Sequence, residues 1–212
     1  MVDNNIKFGY KFISLIYDSI DFFYFPDKNK SPRYGLVSKI KNDNLKILDI
    51  CIGTATTSIL LAKKNDQNNI IGIDLSKEML KIANNKIKKN NIENISVLYM
   101  DATKTVFNDQ EFDIITMSLG LHEMDSETLS LVLKEINRIL KNNGILYIIE
   151  WEKPDNGLLK KIMFQIIKFL EPKWFNDFLR INWQNLLANY NFDLTENKKY
   201  SYTKLLTVTK VM

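Results

Sequence analysis

Three aspartates and one glycine set the chemistry this chain can support. The run Asp49-Ile-Cys-Ile-Gly-Thr-Ala55 lies between an apolar segment, Lys46–Ile50, and a helical pattern, Thr56–Lys64. A strand that passes through a tight loop into a helix aims backbone N–H groups at one point, which then holds anionic or polar groups. Gly53 lets the main chain approach a ligand closely. Asp74 closes the next apolar segment, 21 residues after Gly53. A carboxylate there accepts from both hydroxyls of a ribose; the competing reading is a helix-start carboxylate facing the dipole. Met100-Asp101-Ala102 closes a third segment, where a carboxylate can accept from the exocyclic amine of an adenine. Past a fourth segment come His122 and Glu123, at the expected mouth of the crevice. An imidazole there takes up a proton near neutral pH, and Glu123 either orients it or acts itself. The bland alternative is that His122 caps the loop before the next helix.

The elements that must hold these groups alternate short apolar runs with longer amphipathic segments. That is the signature of a parallel sheet covered by helices. The pattern predicts strands at Lys46–Ile50, Ile70–Ile73, Ile95–Tyr99, Phe112–Met117 and Ile145–Ile149. It predicts helices over Phe8–Phe25, Thr56–Lys64, from a Ser76 cap to Lys89, and over Glu127–Leu140. Asn142-Asn143-Gly144 reads as a left-handed stop for the last of these. Leu158–Asn189 is an aromatic-rich helical stretch broken at Pro172, and Phe192–Glu196 and Tyr202–Val208 alternate like two antiparallel strands.

Composition narrows the function classes. The chain has 212 residues, 45% hydrophobic and 25% charged, with a net charge of +4; that suits one folded α/β domain and not a disordered chain. The lysines are dispersed, and Lys86–Lys89 reads as a solvated helix face, so nucleic acid is disfavoured as a partner. One cysteine and one histidine exclude an internal disulfide and a Cys-based zinc site, and no metal is expected. Asp18 and Asp21 interrupt the apolar stretch Phe12–Phe25, so it cannot span a bilayer. With no signal-peptide pattern visible, the expectation is a soluble, cytoplasmic protein.

The loop distinguishes between cofactors. A dinucleotide loop has Gly-x-Gly-x-x-Gly, whereas this chain has Cys51-Ile-Gly-Thr-Ala-Thr56, with one of the three glycines. Asp49, just ahead of the loop, also differs from a typical nicotinamide site.

Here the sequence resembles the class I S-adenosylmethionine-dependent methyltransferases. The resemblance rests on Ile47-Leu48-Asp49 with Gly53-Thr54, on Gly72-Ile-Asp74-Leu-Ser76 with Met79-Leu80, and on Asp101-Ala102, Phe112-Asp113 and Leu140-Lys-Asn-Asn-Gly144. It implies an α/β fold: a Rossmann-like doubly wound seven-stranded sheet, mostly parallel with a C-terminal antiparallel hairpin strand, helices on both faces and a helical cap. It implies one domain over 1–212, with an N-terminal helical cap (1–44), a cofactor-binding core (45–150), a helical substrate-cap insert (155–190) and a C-terminal hairpin (191–212). It implies that Asp49, Cys51, Gly53, Thr54 and Ala55 hold the methionine end of S-adenosyl-L-methionine. Asp74 with Leu75 would bind the ribose, Asp101 and Ala102 would sit at the adenine, and Ser118 and Leu119 would line the far side. The N-terminal helix would fold over the cofactor, with Tyr17 touching the bound ligand. Met117-Ser-Leu-Gly120 and Glu150-Trp-Glu-Lys-Pro154 resemble one branch, the C-methyltransferases of ubiquinone and menaquinone biosynthesis. That branch has Arg-Asn at His122-Glu123 and a longer insert.

The expected function is methyl transfer to a small, partly apolar acceptor. His122, Glu123 and Tyr17 are the candidate catalytic residues, and Glu150 and Trp151 are expected to face the same crevice. Lys160, Lys161, Lys168 and Lys173 allow at most a peripheral membrane contact. The alternatives are an RNA methyltransferase, for which no target-specific catalytic motif is found, and a non-catalytic S-adenosylmethionine-binding protein.

Overall fold

Uninterrupted Ile, Leu and Val in short runs suit strands buried on both faces, as in a parallel sheet. The computed structural model describes residues 31–155 and 157–211. The helix expected over Phe8–Phe25, with Tyr17, lies outside the described residues. The strands are β1 (Lys46–Ile50), β2 (Asn69–Asp74), β3 (Ile95–Tyr99), β4 (Phe112–Ser118), β5 (Leu140–Trp151), β6 (Phe192–Lys199) and β7 (Thr203–Lys210). They form one sheet in the order β3-β2-β1-β4-β5-β7-β6. The β1–β5 pairings are parallel, while β7 runs antiparallel to both β5 and β6. The order reverses at β1, with β2 on one side and β4 on the other. A ligand crevice opens beyond the carboxyl ends of the strands at such a reversal.

The helices are α1 (Pro32–Lys39), α2 (Thr56–Lys64), α3 (Lys77–Lys89), α4 (Ser126–Ile139), α5 (Leu158–Leu170), α6 (Phe175–Phe178) and α7 (Trp183–Ala188), with a 3₁₀ turn at Leu121–Glu123. The Ser76 hydroxyl accepts from the Met79 N–H at 3.2 Å, which starts α3 as expected. Asp125 does the same for α4 through the Thr128 N–H at 2.8 Å. Among the described residues, no helix is long and apolar enough to cross a membrane.

One boundary differs from expectation. Asn142-Asn143-Gly144 is no left-handed stop: none of the three has positive φ. α4 ends at Ile139, and the chain enters β5 at once through extended, fully buried Leu140. The register of β4 on β5 shifts between Phe112 and Ile114, so Lys141–Gly144 form a bulge. Gly144 is there for space. A Cβ on it would stand 2.6 Å from Leu140 Cδ1 and 3.0 Å from the Asp113 carbonyl oxygen.

Candidate active site

The loop after β1 repeats one backbone conformation at every second residue. Cys51, Gly53 and Ala55 have φ of 54°, 54° and 62°. Only glycine adopts that region without steric cost, yet the turn is complete with cysteine and alanine in two of its three places. Gly120, at the exit of β4, makes room for Cys51: a Cβ on Gly120 would lie 2.8 Å from Cys51 Cβ. Burial pushes the Cys51 thiol well up, as do the surrounding carboxylates, so it stays protonated.

Hydrogen bonds tie this loop to the strands beside it. The Gly53 N–H donates to Asp74 Oδ2 at 2.9 Å, and the Ser76 N–H donates to Asp74 Oδ1 at 2.8 Å. Each carboxylate oxygen keeps a second lone pair for a ligand hydroxyl. Burial raises the Asp74 pKa, and the amides of Ser76, Gly53 and Leu75 oppose the rise. Asp49 is buried, and burial pushes it up to about 6 despite hydroxyl donors on both oxygens, Ser58 at 2.5 Å and Thr116 at 2.8 Å. Those bonds tie the end of β1 to α2 and β4. Asp101 accepts from the Thr103 N–H and hydroxyl, both at 2.8 Å and both on Oδ1.

A cavity of about 680 Å³ opens beyond the ends of β1–β4. Its lining includes Asp49, Cys51, Gly53, Thr54, Asp74, Leu75, Asp101, Ala102, Ser118, Leu119 and Glu123. Of the expected cofactor residues only Ala55 is absent from this lining: it is fully buried and packs with Ile52, Ile59, Leu80 and Ala83.

Two residues join the site without a sequence signal. Arg33, in the first turn of α1, lines the cavity and donates from Nε to Thr57 Oγ1 at 3.1 Å; Thr57 Oγ1 lies 3.1 Å from Ser118 Oγ. Lys86 was expected on a solvated face. Its Nζ instead donates to Thr54 Oγ1 at 3.1 Å and Thr56 Oγ1 at 3.0 Å, which pins the loop. Neither position belongs to a motif, because each reaches the site through a long side chain from a helix distant in sequence.

The lining fits S-adenosylmethionine by the chemistry of its donors and acceptors. Along the strand order, Asp101 follows β3, Asp74 ends β2, the glycine loop follows β1, and Ser118 with Arg33 stands by β4. A cofactor laid along this order would find carboxylates for its adenine amine and ribose hydroxyls, and a guanidinium for its amino-acid carboxylate. The volume is ordinary for a site of this kind.

His122 corrects the expectation made for it. It is fully buried and does not line the cavity. Nδ1 lies 2.9 Å from Glu150 Oε2, and Nε2 lies 3.2 Å from Glu171 Oε2 without hydrogen-bond alignment. Burial alone would lower its pKa, but Glu150 and Glu171 overcome this and raise it to about 10. Held as an imidazolium at neutral pH, it is no proton acceptor there. Trp151, Phe175 and Phe178 surround the ring, and Trp174 Nε1 donates to the His122 carbonyl at 3.0 Å. Glu150 also takes the Leu121 N–H at 2.7 Å. Glu150 and Trp151, expected to face the crevice, are instead buried behind it. Glu123, the next residue, does line the cavity. Burial raises its pKa, His122 lowers it, and Glu171, Glu150 and Asp74 raise it further. Among the described residues, no group of His, Cys, Asp and Glu side chains is arranged to hold a metal.

This sheet order, with a ligand cavity at its reversal, defines a Rossmann-like methyltransferase fold. A SAM-dependent methyltransferase from Aquifex aeolicus has the same fold, with a TM-score of 0.69 over 95% of this chain and 98% of that one at 20% identity. The model of the ubiE/COQ5 methyltransferase family matches residues 24–178, and the chain belongs to that family. Demethylmenaquinone methyltransferase of Staphylococcus carnosus is 36% identical over 128 residues, 60% of this chain and 52% of that protein. The enzyme of that name from Lactobacillus johnsonii is 39% identical over 116 residues, 53% of this chain and 46% of that protein. The chain thus spans about half the length of these relatives.

Proposed function

We propose that this protein transfers a methyl group from S-adenosyl-L-methionine to a small, partly apolar acceptor of the quinone class. The observation that carries this reading is the cavity lining, which presents Asp101, Asp74, the glycine loop and Arg33 in the order of the cofactor's parts. The names of the relatives support the acceptor class.

The bound cofactor supplies an electrophilic methyl group on a sulfonium. The chain's own contribution is mainly to position the acceptor in line with it. Asp74 accepts from the ribose hydroxyls, Asp101 and Ala102 hold the adenine, and Arg33 fixes the amino-acid carboxylate. Leu119, Met124 and Val132 give the β4 side of the cavity an apolar wall. Glu123 accepts the proton that the acceptor loses, and burial raises its pKa above the ordinary carboxylate value, which makes it a stronger base. His122 acts indirectly, by holding the turn that carries Glu123.

Titration calorimetry with S-adenosylmethionine and S-adenosylhomocysteine tests the cofactor, and transfer of labelled methyl to a reduced demethylated quinone tests the acceptor. Absence of heat with both cofactor forms overturns the whole reading. Heat without transfer to any quinol overturns only the acceptor class. Glu123→Gln is expected to lower kcat by about 10²- to 10⁴-fold while affinity for S-adenosylhomocysteine holds.

A further inference from the structure

We infer that the outward face of α5 docks on an anionic lipid bilayer, with Ile162, Ile166 and Phe169 entering the headgroup region and Lys153, Lys161 and Lys168 holding lipid phosphates. α5 packs on the core through Phe164 and Ile167. Ile162, Ile166 and Phe169 are 49%, 52% and 88% exposed. Their spacing of four and then three residues puts them on one stripe, and at 3.6 residues per turn that stripe lies roughly opposite Phe164 and Ile167. A soluble chain rarely aims three large apolar side chains straight away from its core, and such a patch marks an interaction surface.

Charge selects the partner. α5 carries Lys160, Lys161 and Lys168 and no acidic residue. Lys161, Gln165 and Lys168 form a second stripe beside the apolar one. Together with Lys153, Pro154 and Phe164 they line a cleft of about 210 Å³. Exposed Lys173 and Trp174 extend the surface past the end of the helix. An apolar stripe flanked by lysines is the pattern of a helix lying in the plane of an anionic membrane surface. α5 has 13 residues, too few to span a bilayer. A second copy of the chain is the poorer occupant, because a two-fold contact sets the same patch against itself and would oppose lysines to lysines. The inference goes beyond the proposed reaction and does not depend on it. The two adjoin because α5 leads into Glu171 and Trp174, both of which hold His122.

Co-sedimentation of the full chain with vesicles tests it. Binding is expected to phosphatidylcholine vesicles containing phosphatidylglycerol, to be weak with phosphatidylcholine alone, and to fall as salt rises from about 0.1 M to about 0.5 M. Phe169→Ser with Ile166→Ser should reduce binding about tenfold or more, and Lys161→Glu with Lys168→Glu should reduce it on anionic vesicles. Phe169, Ile166 and Lys161 are exposed and Lys168 is half-buried, and none lines the large cavity, so thermal melts and S-adenosylhomocysteine titration on the same samples should be unchanged. That titration also separates failure here from failure of the methyltransferase reading. Absence of vesicle binding overturns the inference, and so does binding unaffected by either pair of substitutions. A dimer in light scattering that Phe169→Ser dissociates would make the face a protein interface instead.

Discussion

The cavity has two ends built by different means. Between β1 and β3 it is walled by a loop held in one shape, braced by Asp74, Ser76 and Lys86. Beside β4 it faces a turn whose place depends on a buried charge cluster, His122 with Glu150 and Glu171. The first end accepts unusual residues because several bonds fix its backbone. The second has little tolerance, because a buried ion pair that loses one member leaves a charge without compensation. Substitution at the two ends should therefore differ in kind as well as in size.

The largest effect is expected at His122. His122→Ala leaves Glu150 buried without its partner and should destabilise the fold by about 3–5 kcal/mol in urea titration. The pH dependence gives a second reading. His122 is raised from 6.5 to about 10 in the folded chain. Its contribution to stability is complete below pH 6.5 and is lost as pH rises through about 10. Wild type should lose stability over that interval, and His122→Ala should lose the His122 part of the slope. A substitution costing under about 1 kcal/mol would erase the contrast between the two ends.

The next effect belongs to the cofactor end. Asp74→Ala should weaken S-adenosylhomocysteine binding by about 1.5–3 kcal/mol, the contribution of hydrogen bonds to a charged group. It also frees the Gly53 and Ser76 amides, so Asp74→Asn should recover part of the loss by restoring one acceptor oxygen. Unchanged affinity in calorimetry would remove Asp74 from the ribose site.

The same contrast explains what the sequence made legible. β1, α2 and β3 appeared with their observed limits, and Asp49, Gly53, Asp74 and Asp101 stood out, because local pattern and spacing determine strand ends and the loops after them. Arg33 and Lys86 were not legible as site residues, since nothing local marks where a long side chain from a distant helix will reach. His122 was misjudged for a related reason. Its neighbours in sequence suggested a crevice mouth, whereas its environment is set by Glu150 and Glu171. The false stop at Asn142-Asn143-Gly144 rests on turn-forming residues that here serve a bulge and a close approach to Leu140.

The smallest effect tests how the loop keeps its shape without its full set of glycines. Ala55 holds φ 62° and ψ 25° ahead of α2, a conformation that disfavours a Cβ by about 1–2 kcal/mol. Glycine would relieve that strain. It would also remove a fully buried methyl, worth about 0.8 kcal/mol, and loosen the unfolded chain by about 0.4–1 kcal/mol. These terms nearly cancel, so Ala55→Gly should shift stability by no more than about 0.8 kcal/mol in either direction. That balance is a physical reason why alanine serves at a left-handed position that favours glycine. Ala55→Val removes the balance, because a β-branched residue at positive φ is a genuine outlier, and should destabilise by about 2 kcal/mol or more. Equal melts for the glycine and valine variants would mean that the loop is free to leave the left-handed region. The bracing by Asp74 and Lys86 would then not be what holds the cofactor end in shape.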